Sequence, residues 1–282
     1  CYFRGHFDGG NHTIHNVYMG TVGMIDLGGA DDPWAEDVID LSGSHAAFFG
    51  FIDEGSISNL SLQNAGVSGA YYEIGGLVSH ASNATISNCH LSKSTVKGGE
   101  NSTVGGLIGA IDNCVVENCS VEDMHVKGSY VAGLVSKVYE GSVIRNSHAE
   151  GYGYITNRNG NYGGFGGGLV QTNGGLIENC YTNMEMHGHS YRTEVNGGFV
   201  GDNYGVIRNS YATGNVYVGN NSAGFVGRNL GLIESCYSTG NVIVGDDTNY
   251  NAASIADFSD NTNFNIVGDT KDGLKLLELV RG

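Results

Sequence analysis

The sequence predicts an all-β fold, a right-handed parallel β-helix (solenoid) of about nine coils with three short strands per coil. Three observations predict it. Asn59, Asn88, Asn118, Asn146, Asn179 and Asn209 stand 29, 30, 28, 33 and 30 residues apart, and each lies two positions after Ile or Val. A repeat on the order of 20–50 residues marks a stack of like units. The 282 residues include 47 Gly and 1 Pro, without a Gly-X-Y period, which suits tight corners between uninterrupted strands. Between the repeats the apolar residues alternate with period two, as in Asn215-Val216-Tyr217-Val218 and Asn241-Val242-Ile243-Val244, and no helical stretch intervenes. Right-handed winding is the default for parallel crossovers.

Each coil divides into three segments. The first is a Gly-rich apolar strand, seen in Gly75-Gly76-Leu77-Val78, Gly105-Gly106-Leu107-Ile108, Gly167-Gly168-Leu169-Val170 and Gly197-Gly198-Phe199-Val200. A polar turn follows, such as Asp202-Asn203-Tyr204-Gly205, and then the Ile-x-Asn-Cys strand. The alternating segment is the third strand. Phe7–Val17 reads as a variant first coil with Asn16 in the Asn register, and Ser254–Asn265 as a degenerate last one. The chain is therefore expected to be one domain over 1–282, with coils over 1–269 and an acidic inserted loop at 26–44. Residues 270–282, with Leu274, Leu276, Leu277 and Leu279, form a short cap or the start of a following segment.

The Asn register is expected to be a structural ladder, with inward amides bonding the corner backbone and the next coil's Asn. Leaving such a buried amide without partners costs about 1–3 kcal/mol. Cys89, Cys119, Cys180 and Cys236 share the following position with Ser147 and Ser210, so a small inward side chain is wanted there. These cysteines are expected to be buried free thiols rather than disulfides. Asn59-Leu60-Ser61 and Asn118-Cys119-Ser120 read as glycosylation sequons, but on an inward ladder no glycan would reach them.

The segments Gly197–Val218 and Ala223–Val244 carry Gly-x-Val-Gly, a turn, then Asn-Ser-Tyr-Ala-Thr-Gly or Ser-Cys-Tyr-Ser-Thr-Gly. They resemble the GLUG repeat of large bacterial surface and secreted proteins. Phe7–Val17 resembles the entry coil that often precedes such repeats, although Gly10-Asn11 stands where Asn-Gly is usual. The resemblance implies the solenoid architecture. It leaves activity open, because these repeats occur beside adhesive modules and in IgA-cleaving metallopeptidases alike.

Function is expected where the repeat is interrupted. The inserted segments Asp26–Ser44, Lys97–Ser102, Gly151–Gly163, Met186–Glu194 and Asp246–Asn251 all fall after the third strand, so they line one edge of the solenoid. That edge is expected to carry a ligand surface of Trp34, Tyr71, Tyr72, Tyr152, Tyr154, Tyr162, His187, His189, Tyr191 and Arg192, suited to a glycan or a host or cell-surface protein. Asp31, Asp32, Glu36 and Asp37 surround Pro33-Trp34 and offer carboxylates to calcium, though without EF-hand spacing; the same residues suit the N-cap of a short helix. No other cofactor is expected. The carboxylates of Glu140, Glu150, Glu178, Glu194 and Asp202 are available without an evident acid–base pair, and no His-Glu-x-x-His motif occurs.

A net charge of −16, from 13 Lys and Arg against 29 Asp and Glu, excludes nucleic acid as an expected partner. No apolar run is long enough for membrane insertion. The expected protein is an extracellular or cell-surface adhesin, binding or spacer module, part of a larger polypeptide and without chemistry of its own. The alternatives are an accessory domain of a secreted hydrolase, such as an IgA-cleaving metallopeptidase, and a carbohydrate-active β-helix enzyme.

Overall fold

The computed structural model describes residues 2–20, 45–156, 164–188, 195–217 and 222–243. Every regular element in them is a β-strand, and each strand pairs in parallel with the equivalent strand one coil away, as from Phe49 to Val78 and from Val78 to Ile108. Three sheets run along the solenoid. An eight-stranded sheet runs from Tyr2–Phe3 to Val226–Asn229, and a six-stranded sheet from Tyr72–Gly75 to Ser222–Ala223. The third, broad sheet has 18 strands, because most coils give it two, such as Thr85–Ser92 and Thr95–Gly98. Among the described residues the six-stranded sheet marks about six complete three-sided turns, against about nine coils expected over the whole chain. The expected last coil and the 270–282 cap lie outside the described residues.

The core is a set of aliphatic columns. Ile57, Ile86, Val116, Ile144, Ile177, Ile207 and Ile233 pair in register from coil to coil and are all buried. Burying each such side chain contributes about 1.5–3 kcal/mol, so the frame is held by apolar burial repeated at every rung.

The Gly-rich segments are corners, not single strands as the sequence suggests. Tyr72–Gly75 ends in the six-stranded sheet, the chain bends at Gly76-Leu77, and Val78–Ser82 begins in the eight-stranded one. Leu77, Leu107, Leu134, Leu169 and Phe199 point into the core from this bend. The glycine before each packs against the next coil so closely that a Cβ on Gly106 would overlap the Gly133 carbonyl.

The Asn register is corrected more deeply. Asn118, Asn146, Asn179 and Asn209 are exposed, while Asn59 and Asn88 are only half-buried. All six, with Ser235 in the seventh copy, adopt positive φ between 46° and 55°. Asn is preferred there because it tolerates the left-handed conformation better than other residues with a side chain. Only at one end do its amides bond along the stack, with Asn59 Nδ2 donating to Asp8 Oδ1 (3.0 Å) and Asn88 Nδ2 to Asn59 Oδ1 (2.7 Å). Exposure also places the Asn118 sequon at the surface.

The following Cys or Ser is the inward member. The Ser147 hydroxyl donates to the Arg145 carbonyl (2.8 Å) and Ser210 to that of Arg208 (2.6 Å); Cys119 and Cys180 make the same bridge to Glu117 and Glu178. The small donor thus adds a second hydrogen bond to a carbonyl that already accepts from the neighbouring coil, Arg145 from Asn118 N, Glu178 from Asn146 N and Arg208 from Asn179 N, each at 3.2 Å. Cys89, Cys114, Cys119, Cys180 and Cys236 are buried free thiols, and burial pushes Cys180 and Cys236 up to about 12.

A true inward amide ladder lies elsewhere, in the polar turn. Asn173 Nδ2 donates to Asn203 Oδ1 (2.8 Å), and Asn203 Nδ2 to Asn229 Oδ1 (2.7 Å). Asn173 and Asn203 are fully buried. Each amide also reaches the carbonyl two residues on, at Gly175, Gly205 and Gly231.

Candidate functional site: the outer face of the broad sheet

The strands Ser120–Gly128, His148–Ile155 and Tyr181–Gly188 run unbroken across the broad sheet. Their alternate residues leave the core and form a grid with the next coils. One row is Ser120, Glu122, His125 and Lys127; the next is His148, Glu150, Tyr152 and Tyr154. Tyr181, Asn183, Glu185 and His187 follow, and Tyr211, Thr213, Asn215 and Tyr217 continue the face.

Rings stack down this grid. His148, Tyr181, Tyr211 and Tyr237 form one column with centroids 4.5, 5.2 and 5.1 Å apart and interplanar angles of 5–7°. His125 stacks on Tyr152 at 5.5 Å, and His187 on Tyr217 at 4.7 Å. Tyr181 and Tyr211 therefore have both faces covered, so the surface presents ring edges and polar tips.

Carboxylates lie between the rings. His148 Nε2 sits 3.3 Å from Glu122 and His187 Nε2 3.5 Å from Glu185, while the Tyr181 hydroxyl donates to Glu150 (3.4 Å). Burial, then the Glu150 charge, pushes the Tyr181 phenol up. Burial holds the His90 and His125 imidazoles below their usual range.

The structure redistributes the expected edge. Tyr152, Tyr154 and His187 sit in strands of the grid rather than in loops. Tyr71 and Tyr72 lie at the corner where the broad sheet hands over to the six-stranded one, and Tyr72 stacks on His45 at 5.2 Å. The described strands before 157–163 and 189–194 belong to the broad sheet, and those after them to the six-stranded one. Trp34, Tyr162, His189, Tyr191 and Arg192 lie outside the described residues, as do Asp31, Asp32, Glu36 and Asp37. Among the described residues no group of three or more His, Cys, Asp or Glu side chains is arranged to hold a metal ion.

The same geometry bears on catalytic sets. Glu178 pairs in register between Arg145 and Arg208 on the broad sheet, whereas Asp202 is on the eight-stranded sheet, bonded to Arg228 at 2.7 Å. The two do not form an acid–base pair. Burial raises the Asp202 carboxyl although Arg228 opposes it, because the Asp202 side chain is nearly enclosed while Arg228 is half exposed. Ser79 and Glu73 both approach His45, at 3.3 and 3.4 Å, but through the same Nδ1 atom. A nucleophile relay needs opposite ring nitrogens, and the buried Ser79 hydroxyl instead donates to the Glu73 carbonyl at 2.7 Å.

The family model described as the GLUG motif matches residues 100–126 and 197–217. Two coils of the chain match the GLUG motif. Each match spans about one coil, from the six-stranded sheet through the eight-stranded one to the broad sheet. The GLUG signature thus describes the frame, namely the Gly-Leu corner, the aliphatic rung and the left-handed Asn. The two middle rows of the grid, His148 to Tyr154 and Tyr181 to His187, fall outside both matches, while Glu122, His125, Tyr211 and Tyr217 fall inside them. No curated protein and no solved structure matches the chain.

Sequence reasoning missed the grid as a unit because its members were divided between strand and insertion. The alternation His148, Glu150, Tyr152, Tyr154 was the available signal, continued one coil on by Tyr181, Asn183, Glu185, His187.

Proposed function

We propose that this GLUG-repeat solenoid is a non-catalytic binding module of an extracellular or cell-surface protein, holding a glycan or protein partner across the broad sheet. The observation that carries the reading is the grid itself: four adjacent coils present outward Tyr, His, Glu and Asn side chains in register on one face. Ring edges, hydroxyls and carboxylates in a regular array offer hydrogen bonds along an extended polar ligand. The net charge of −16 supports an exposed, soluble setting and disfavours phosphate-rich partners.

A glycan array and a cell-surface protein array, run beside a screen for glycan and peptide cleavage, test this. The reading expects saturable binding without turnover. Reproducible product formation, abolished by Glu150→Gln or Glu178→Gln, would overturn it in favour of an enzyme.

A further inference from the structure

A second surface lies at a different corner, where the eight-stranded sheet turns into the broad one. Val138, Asn173, Asn203 and Asn229 pair in register, so the residues that follow them stack at the corner as Tyr139, Gly174, Tyr204 and Leu230. The backbone confirms the order. Gly174 N donates to the Val138 carbonyl, Tyr204 N to that of Asn173 and Leu230 N to that of Asn203, each at 2.7 Å.

This column is an aromatic ladder with one rung missing. Tyr139 is 44% exposed and Tyr204 49% exposed, and between them stands a glycine. Where neighbouring coils both carry rings, the rings fill each other's space, as Tyr181 and Tyr211 do at 5.2 Å and Tyr130 and Phe165 at 5.3 Å. Here the two tyrosines are anchored two coil spacings apart, roughly 10 Å along the backbone, the distance that one ring stacked between them would span. Arg228, one coil beyond Tyr204, lies over its ring at 5.9 Å and bonds its hydroxyl at 3.0 Å, which leaves the other face towards Gly174.

The flank of the slot is polar. Lys137 and Thr172 form a half-buried polar column on the adjoining strands, two residues before Tyr139 and Gly174, and Asp202 next in register is nearly enclosed in its bond to Arg228. An inserted ring with apolar faces and hydrogen-bonding substituents around its rim matches such a setting better than a purely apolar ring. We propose that the gap over Gly174 is a sugar-binding subsite, in which Tyr139 and Tyr204 sandwich one pyranose ring and the adjoining polar column bonds its hydroxyls. The site is separate from the broad-sheet grid, so either stands if the other fails.

The test is a titration of the full chain with methyl β-glucopyranoside and methyl β-galactopyranoside, followed by saturation-transfer NMR, with N-acetyl-tyrosinamide as a third probe. At least one glycoside should bind saturably, with Kd on the order of millimolar. Tyr204→Ala should weaken it at least about 10-fold, a loss of about 1.4 kcal/mol. Gly174→Tyr should do the same by filling the rung; a Cβ there would sit 3.1 Å from the Val138 carbonyl, tight enough to need only a small shift. Tyr2→Ala, in the first strand of the eight-stranded sheet and outside both surfaces, should leave the titration unchanged. The proposal is overturned if neither glycoside binds the wild-type chain, or if both folded variants bind as well as wild type. Binding of N-acetyl-tyrosinamide in place of the glycosides would equally overturn it, and would make the slot a receptor for an aromatic side chain.

Discussion

Asn146 holds its place through its backbone. It is exposed, its φ is 50°, and the same conformation recurs at Asn118, Asn179 and Asn209. An L-residue in this region costs about 1–2 kcal/mol, less for Asn and almost nothing for Gly. Asn146→Ala is therefore expected to lower unfolding stability by about 1 kcal/mol, and Asn146→Gly to leave it within about 0.5 kcal/mol of wild type. Urea unfolding of the two variants checks this. An inward amide ladder would make both substitutions equally damaging. The spacing of these residues was legible because a corner recurs once per coil, but their role was not. Sequence shows that Asn is required, while a buried amide and a left-handed corner ask for the same residue. The buried amides of Asn173 and Asn203 were hidden inside a polar turn whose alignment only the coil register reveals.

At the scale of the strand, period-two alternation located the half-buried segments but placed their ends too early. The sequence assigned Tyr152, Tyr154 and His187 to insertions because they fall among the extra residues that lengthen their coils after the third strand. In the structure Gly151, at φ 134°, sits at an irregularity in the ladder between Val121 and Met124, and the strand continues through it. A Cβ on Gly151 would overlap the Met124 carbonyl, so the glycine permits a kinked strand instead of ending one. The broad sheet also carries a pH dependence. Burial lowers the His90 and His125 imidazoles below the ordinary value of 6.5, so the unfolded chain takes up these protons first. Their contribution to stability is present above pH 6.5 and is lost as pH falls through the lower folded-state values. Unfolding midpoints measured at pH 7.5 and 5.5 should fall with acidification, and a His90→Asn/His125→Asn double variant should show a smaller fall.

Across the whole molecule the frame and the proposed contact surfaces separate by which way a residue faces. The fold was readable because each coil repeats its aliphatic rung, its Gly corner and its Cys or Ser, and the inward columns preserve that regularity over seven coils. The outward positions obey no such repeat. They vary from Lys127 to Tyr154 to His187 to Tyr217 along one column, and the GLUG matches take in only part of the face. The central claim is that these variable outward residues bind while the repeated inward ones only hold. Its most direct test is a titration of a Tyr152→Ala/His187→Ala variant, shown by circular dichroism to keep its β-sheet signature, with a ligand identified on the arrays. The account predicts affinity at least about 10-fold weaker than wild type, the loss of about 1.4 kcal/mol of contact energy at the face. An unchanged affinity in the folded variant would contradict it.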